Sequence, residues 1–271
     1  MSRLWPDELG VHLAPRRMCL VRTRRGLRRS VVREMSVPVD SPGPGGWEGA
    51  LAAFEAKLAE PEWAGAGVRA VLSDHWVRYA VVPYVEELSN AEERDAHARE
   101  LLASVYGDAV SGWTLCVSDA PPGASRLACA MPSALLQGLR EACARARAKL
   151  VSAQPQLIAA HNNWRHALPT DDAWFVTIDE GTMAAARMKA NGFDRVHTVR
   201  IGADWIRDLK RLQTFGRLAN TSSADGRVYV DAPLSWRAVG AAMGADLEWL
   251  ERPVPRLTTP LRLDELRRGG A

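Results

Sequence analysis

Cysteine is scarce in this sequence, and its four cysteines are far apart. No two of them form a Cys-x-x-Cys pair, and each stands among apolar residues. Neither a zinc knuckle nor a redox pair is suggested, because both need cysteines at close, regular spacings. We therefore expect reduced thiols inside a globular protein. The four are Cys19, Cys116, Cys129 and Cys143.

Long apolar runs are also absent. A membrane-spanning helix needs about 18 or more consecutive apolar residues, and none occurs. The start of the chain carries Asp7 and Glu8 in place of the apolar core of a signal peptide. We expect a cytoplasmic protein. Its 271 residues, of which 47% are hydrophobic, are enough to bury one large core or the cores of two packed lobes.

The common short catalytic motifs are missing. The sequence has no P-loop, no Gly-x-Ser-x-Gly elbow and no His-Glu-x-x-His zinc motif. Asp74 and His75 have the chemistry of an acid–base pair, but with Trp76 after them they are typical of a turn at the end of a strand. His161 and His166 are five residues apart, a spacing that does not place two metal ligands on one helix face.

The net charge is only +3, which does not indicate a nucleic-acid-binding protein. Arginines nevertheless crowd between residues 16 and 33. This run is compatible with a solvated hairpin rim, with a contact to anionic lipid or with a contact to an acidic partner. Stacking on bases requires aromatic residues among the arginines, and there are none, so no nucleic-acid partner is expected.

Alternating apolar residues and turn signals predict three strands at the start of each half of the chain. In the first half the elements are strands at 9–13, 18–23 and 30–38, a helix at 47–58, and strands at 68–72 and 77–82. In the second half they are strands at 174–178, 183–188 and 195–199, a helix at 203–218, a strand at 228–230 and a helix at 233–243. This repeat predicts an α/β protein built from two duplicated βββαβα lobes.

A small α/β insertion interrupts the first lobe. Asn90 is the expected N-cap of a charged helix at 91–106, whose apolar residues are expected to form a single buried stripe of Ala98, Leu101, Leu102 and Val105. Short strands are expected on both sides of the turn that follows this helix, at 113–117 and 126–131.

Two further helices are expected at 133–148 and 155–164, each with proline at its start. We assign the first lobe to residues 1–153, with the insertion at about 86–117. The second lobe, with a tail rich in proline and arginine, takes residues 154–271.

Several stretches together carry a resemblance to a known family. They are 9–13 with its hairpin into 18–21, then 72–79, 127–131, 150–155 and 175–183. In order and spacing they resemble the actin, Hsp70 and sugar-kinase fold, which is ribonuclease H-like. Within that fold they are similar to the PilM-type protein of type IV pilus assembly and to the cytoplasmic domain of the type II secretion L subunit (GspL). The position of the insertion favours this branch over a kinase. Nothing like the membrane helix of the L subunit follows the second lobe, so we expect a separate, PilM-like protein.

The resemblance implies half of a nucleotide site at the first hairpin turn. In ATP-binding members this turn carries an Asp that holds magnesium through water, followed by small residues whose N–H groups cradle phosphates. The matching positions here are His12, Ala14, Pro15, Arg16 and Arg17. A histidine is a poor partner for magnesium, proline has no N–H, and two arginines fill the space that phosphates need. We expect a degenerate half-site, although guanidinium groups that grip phosphates directly leave binding without turnover open.

The other half of the implied site lies in the second hairpin turn. Asp179, Gly181 and Thr182 keep the family's order there, while Glu180 adds negative charge close to any triphosphate. The same four residues are also a good β-turn that needs no ligand. The purine-binding stretch of the family matches small residues that include Gly240, and a helix that ends in glycine likewise needs no ligand.

The resemblance also implies a partner. In the PilM-type family a groove between the first lobe and the insertion receives the cytoplasmic N-terminal segment of a single-span membrane protein of the PilN type. We expect Trp76, Arg78, Tyr79 and Trp113 to line it here. The expected protein is a non-enzymatic adaptor without a cofactor or metal, peripheral to the inner membrane, with a pilus or secretion ATPase as a further possible partner. The alternative is a divergent ATP-binding protein or kinase of the same fold.

Overall fold

The computed structural model describes residues 7–24, 30–40, 46–88, 90–121, 123–169, 172–189, 192–202, 204–218, 227–233, 236 and 247–251. The chain divides into two compact units. Among the described residues, one unit contains 7–77 and 131–159, and the other contains those of 78–130 and 160–251. This division groups residues by proximity, so the insertion and the second repeat fall in one unit. The lobe boundaries expected from the repeat stay a prediction.

The first sheet has five strands in the order β3-β2-β1-β4-β8. They are β1 (Glu8–Leu13), β2 (Arg17–Arg24), β3 (Ser30–Pro38), β4 (Gly67–Leu72) and β8 (Lys149–Pro155). β1, β2 and β3 pair as antiparallel hairpins, and β4 and β8 run parallel to β1. The predicted three-stranded start is confirmed. The sequence analysis missed β8, because no glycine or turn cluster separates it from the helices on either side.

Two helices belong to this first unit, α1 (Glu48–Leu58) and α3 (Ser133–Arg145). Ala50, Phe54 and Leu58 recur every four residues along α1 and are buried, as a single apolar stripe requires. α3 ends at Arg145, three residues before the predicted end, because the chain turns there into β8. Arg147 in that turn has a positive φ of 53°.

The insertion is a three-stranded sheet in the order β5-β7-β6, covered by one helix. Its elements are β5 (Arg78–Val82), α2 (Ala91–Tyr106), a 3-10 helix (Gly107–Gly112), β6 (Trp113–Val117) and β7 (Arg126–Pro132). The predicted N-cap of α2 is confirmed. The Asn90 side chain accepts a hydrogen bond from the Glu93 N–H at 2.9 Å, which completes a capping box.

The second sheet repeats the topology of the first, in the order β11-β10-β9-β12-β13. Its strands are β9 (Ala173–Asp179), β10 (Thr182–Lys189), β11 (Gly192–Arg200), β12 (Arg227–Asp231) and β13 (Glu248–Trp249). β9, β10 and β11 form antiparallel hairpins, while β12 runs parallel to β9. The predicted duplication is confirmed. β13 was not predicted, since two residues are too few to show a period.

Two helices accompany this sheet in sequence, α4 (Gln156–Trp164) before it and α5 (Trp205–Leu218) after β11. α5 packs on the sheet through Trp205, Ile206 and Leu209, which share a buried cluster with Trp174 and Val176 of β9. Both helices were predicted. The predicted helix at 233–243 lies outside the described residues except at its first and fourth positions, and the tail beyond residue 251 lies outside them entirely.

Candidate functional site

Backbone groups of the turn between β1 and β2 form hydrogen bonds within the protein. Ala14 is fully buried and donates its N–H to the Arg17 carbonyl at 3.0 Å. Pro15 is buried beside it and has no N–H. The carbonyl of Arg16 accepts a hydrogen bond from the Val39 N–H at 2.9 Å, and the side chains of Arg16 and Arg17 are exposed. Ala14 and Pro15 thus present no N–H to a ligand.

His12 lies on β1 directly opposite Cys19 on β2. Its Nε2 is 2.7 Å from Oε1 of Gln156, the first residue of α4. The thiol of Cys19 also donates to the Ser36 hydroxyl at 3.7 Å. Burial raises the pKa of Cys19. Hydrogen bonds to His12 and Ser36 and the charge of Arg17 together lower it by a larger amount, so the pKa lies below its ordinary value. His12 therefore lies in a hydrogen-bonded cluster with Gln156, Cys19 and Ser36, and none of these three partners is a carboxylic acid.

Asp74 has a structural part at the neighbouring strand end. It follows β4, is 2% exposed, and its Oδ1 accepts a hydrogen bond from the Leu157 N–H at 3.2 Å. Leu157 stands in the first turn of α4, where N–H groups lack partners within the helix and a carboxylate is stabilised by the helix dipole. The interpretation of Asp74 and His75 as a strand-end turn is confirmed, because Val77 donates its N–H back to the Asp74 carbonyl at 3.3 Å.

The second hairpin turn, between β9 and β10, is a two-residue loop. Asp179 and Thr182 face each other across it, and both are buried. Glu180 and Gly181 between them have positive φ angles of 43° and 80°. Two positive φ angles define a type I′ turn, which matches the twist of a hairpin. The Gly181 carbonyl accepts a hydrogen bond from the Ile201 N–H at 2.8 Å. The predicted β-turn is confirmed, while its phosphate contact stays a prediction.

Buried polar groups continue from this turn along the same sheet. Thr177 on β9 is 1% exposed and pairs with Asp231 at the end of the parallel strand β12. Oδ2 of Asp231 accepts a hydrogen bond from Nε1 of Trp164 at 3.0 Å. The carboxyl ends of β9 and β12 thus carry two buried acids, Asp179 and Asp231. Gly240, the predicted purine contact, lies outside the described residues.

An aromatic and arginine cluster stands at the end of α2. The Tyr106 and Trp113 rings meet edge to face with centroids 5.3 Å apart, and the Arg78 guanidinium lies 5.8 Å from the Tyr106 centroid. Tyr106 is 37% exposed. Its neighbour Val105 is 71% exposed, so the prediction that Val105 belongs to the buried stripe of α2 is wrong. The structure therefore brings Arg78 and Trp113 of the predicted groove to one ring. We call Arg78, Val105, Tyr106 and Trp113 the aromatic surface.

The other two predicted groove residues have different surroundings. Tyr79 is half-buried and pairs with Cys129 across β5 and β7. Trp76 is only 4% exposed, so its ring offers almost no area to a partner. Their contact with a partner stays a prediction, but the aromatic surface does not depend on either of them.

Two residues of these sites were missed from the sequence. Gln156 is separated from His12 by more than half of the chain, and the signal that could have found it is a polar residue just after Pro155, at the start of a helix on the carboxyl edge of a sheet. Tyr106 could have been found as the aromatic that ends a charged helix directly before Gly107.

Within the described part of the chain, no three His, Cys, Asp or Glu side chains converge as a metal site. In that same part, no helix combines the length and the apolar character needed to cross a membrane.

No protein-family model and no curated protein matches the chain. Solved structures do. The PilM–PilN type IV pilus biogenesis complex contains a chain that matches with a TM-score of 0.63 and 15% identity, over 90% of this chain and 88% of that one. The cytoplasmic domain of EpsL, an inner membrane component of the type II secretion system of Vibrio cholerae, matches with a TM-score of 0.55 and 13% identity, over 97% and 94%.

A Bacteroides thetaiotaomicron protein with an actin-like ATPase fold and unknown function matches with a TM-score of 0.62 and 10% identity, over 98% of each chain. These similarities agree with the two sheets of identical strand order. The chain therefore has the actin-like α/β fold, as the resemblance implied.

Proposed function

We propose that this protein is a non-enzymatic, actin-like adaptor in the inner-membrane assembly platform of a type IV pilus or a type II secretion system. It would bind the cytoplasmic N-terminal segment of a single-span, PilN-like membrane protein. The likeness to a chain of the PilM–PilN complex and to the EpsL cytoplasmic domain supports the choice of machine. The observation that carries the proposal is the first hairpin turn, whose polar groups are engaged within the protein.

The first hairpin turn is a poor place for a magnesium–triphosphate group. Phosphoryl transfer depends on positioning and on neutralisation of charge by donors and metal ions. Here the N–H of Ala14 is used within the hairpin, Pro15 has none, and Nε2 of His12 is bound to Gln156. A carboxylate at position 12 is what magnesium would require, and an imidazole does not replace it. The proposed adaptor needs no cofactor.

The aromatic surface is the place proposed for the partner. Tyrosine, tryptophan and arginine are the residue types that dominate binding energy at protein interfaces, because they bury a large apolar body and keep polar donors. The exposed parts of Val105 and Tyr106 supply apolar area, and Arg78 adds a positive charge beside it. The early arginines would add a peripheral contact with anionic lipid or an acidic partner. A pilus or secretion ATPase is a further proposed partner, and a nucleic acid is not.

The test is a titration of a labelled peptide followed by fluorescence anisotropy. The peptide is the cytoplasmic N-terminal segment of a single-span, PilN-like membrane protein. We expect binding at tens of micromolar or tighter, and a loss of at least about tenfold with Tyr106→Ala. Tyr84→Ala is the matched control, because Tyr84 is a 47% exposed tyrosine outside the aromatic surface. Absence of binding by the unmodified protein at these concentrations contradicts the proposal.

A divergent ATP-binding protein or kinase is the second candidate. It is favoured by one observation, the retained order of Asp179, Gly181 and Thr182 in a buried turn. Magnesium-dependent release of phosphate from ATP by the unmodified protein would establish it. An unchanged phosphate background, with and without magnesium, together with no saturable binding of ATP, would remove it.

A further inference from the structure

Cys116 and Cys129 stand opposite each other on neighbouring strands of the insertion. β6 and β7 are adjacent in the sheet, and the connection between them is too short for a parallel crossover, so they are antiparallel. Ser118, directly after β6, donates its N–H to the Leu127 carbonyl of β7 at 2.8 Å. Cys116 lies two residues before Ser118, and Cys129 lies two residues after Leu127. They therefore form the next hydrogen-bonded pair of this ladder.

Both cysteines lie on the face of the insertion sheet that is turned away from α2. Leu115 and Val117, on either side of Cys116, pack against a buried cluster that contains Ala98 of α2 and Ala128, the neighbour of Cys129. Successive residues of a strand point to opposite faces, so both thiols share the other face. Both are half-buried, which leaves part of each side chain accessible to a small reagent.

The two thiols are hydrogen-bonded to each other. This bond lowers the pKa of Cys116, and burial together with the charges of Asp95 and Asp119 raises it by less, so the pKa of Cys116 lies below its ordinary value. A larger thiolate fraction makes a cysteine the attacking group in thiol–disulfide exchange. Cys143 has the opposite character, because burial raises its pKa to about 11.

We propose that Cys116 and Cys129 are a reactive dithiol that forms an intramolecular disulfide with a small disulfide such as oxidised glutathione as the oxidant. Facing Cα atoms of a hydrogen-bonded antiparallel pair are about 5.5 Å apart, within the Cα range of a disulfide. Facing Cβ atoms in such a pair are up to about 5.5 Å apart, so the edge strand β6 must move toward β7 to bring them to the roughly 4 Å that the bond requires. The inference is independent of the proposed function, since it uses only the insertion sheet.

The reaction is balanced by two exchanges. The Cys116 thiolate attacks one sulfur of glutathione disulfide, which forms a mixed disulfide and releases one glutathione thiolate. The Cys129 thiol loses its proton to solvent and attacks the Cys116 sulfur, which releases the second glutathione. The protein loses two electrons and the small disulfide gains them. Excess dithiothreitol reduces the Cys116–Cys129 disulfide to two thiols and is itself oxidised to a cyclic disulfide.

The experiment uses the full chain, equilibrated with excess glutathione disulfide, freed of the reagent, and then unfolded in guanidinium chloride and treated with N-ethylmaleimide, so that the buried Cys143 is also labelled. We expect two of the four cysteines to be blocked to maleimide, and proteolysis with mass spectrometry to find one peptide in which Cys116 is bonded to Cys129. Reduction with dithiothreitol restores all four. Labelling of all four cysteines after oxidation, or a bond between any other pair, overturns the proposal.

Two further arms separate a dithiol from two independent thiols. Cys129→Ser is expected to stop at the glutathione adduct on Cys116, because the resolving thiol is gone. On the reduced unmodified protein, one equivalent of phenylarsine oxide, which bridges two thiols with loss of water, is expected to protect both cysteines from maleimide. Protection of neither, or separate glutathione adducts on both cysteines of the unmodified protein, contradicts the proposal. Cys143→Ser is the matched control and is expected to change neither result.

Discussion

Nε2 of His12 lies 2.7 Å from Oε1 of Gln156, so the end of β1 is tied to the first turn of α4. The two residues stand at the carboxyl ends of the parallel strands β1 and β8, the edge where α/β sheets carry their ligand sites. Asp74, at the end of β4 between them, binds the same helix through the Leu157 N–H. In this protein the carboxyl edge of the first sheet thus binds and stabilises the first turn of α4.

The first prediction follows from that hydrogen bond. Gln156→Ala removes a half-buried partner of His12 and is expected to lower the free energy of unfolding by about 1 kcal/mol, the net value of one neutral hydrogen bond. Urea denaturation measures it. Gln137→Ala is the matched control, because Gln137 bonds Glu141 on the exposed face of α3 and such a pair contributes less than about 0.5 kcal/mol. Equal effects of the two substitutions would contradict the prediction.

The second prediction concerns the turn between β9 and β10. Glu180 has a φ of 43°, a conformation that costs an L side chain roughly 1 kcal/mol, so Glu180→Gly is expected to stabilise the protein by up to about that amount. Gly181→Ala is expected to destabilise it by about 1 kcal/mol for the opposite reason. A Cβ on Gly181 would meet the Ile201 carbonyl only at 3.6 Å, so the effect comes from the backbone alone. Thermal unfolding measures both, and two shifts of the same sign would contradict the prediction.

The third prediction concerns the ion pair of Asp172 and Arg187. Arg187 is almost fully buried on β10 and binds both carboxylate oxygens of Asp172, with Nε at 2.7 Å from Oδ1. Hydrogen bonds from Arg187 hold the pKa of Asp172 below its ordinary value of 3.8. The unfolded chain therefore takes up the proton first on acidification. This contribution to stability is complete at neutral pH and disappears as the pH falls through the lowered pKa.

Asp172→Asn is accordingly expected to cost about 2 kcal/mol at pH 7, the order of hydrogen bonds to a charged group, and to flatten the loss of stability below about pH 4. Urea denaturation from pH 7 to pH 3 measures both effects. Glu55→Gln removes an exposed carboxylate that binds Arg145 at 2.6 Å, and it is expected to cost less than about 1 kcal/mol. An unchanged pH profile for Asp172→Asn would show that the account of this pair is wrong.

The fourth prediction concerns His161 of α4, which packs against Phe193 at 4.9 Å and Phe175 at 5.9 Å between ring centroids. Burial lowers the pKa of His161 below its ordinary value of 6.5. Because the unfolded state then binds the proton more readily, this stability is complete above pH 6.5 and is lost as the pH falls below it.

His161→Phe keeps a ring among the two phenylalanines and removes the titration. The slope of stability against pH below about 6.5 should become shallower, as measured by thermal unfolding between pH 7.5 and 5. It should not vanish, because burial also lowers the pKa of His197. His197→Gln in the same background is expected to flatten the slope further. A slope that is unchanged by His161→Phe would contradict this explanation.

Local patterns in the sequence predicted most of the strands, because hairpins can be recognised from alternating apolar and polar residues and from turn residues such as Glu180 and Gly181. They could not predict β8 from its own residues, since its burial comes from pairing with β4, far away in sequence. For the same reason the sequence indicated His12 as a site residue but did not indicate its partner Gln156. The exposed ring of Tyr106 was missed because a helix end gives no signal of what lies beside it in space.

The tryptophans illustrate the same limit. The sequence has ten, and two of them, Trp76 and Trp113, were predicted to line the groove for a partner. Trp63 and Trp205 are fully buried, and Trp76 is 4% exposed. Only packing distinguishes these from Trp113, which is half-buried against Tyr106.

The most direct test of the central claim is a calorimetric titration of the unmodified protein with magnesium and ATP. The first hairpin engages its own polar groups, with His12 bound to Gln156 and the Ala14 N–H to the Arg17 carbonyl. We therefore predict no saturable heat up to millimolar nucleotide, with or without magnesium. Saturable binding that requires magnesium would contradict the account.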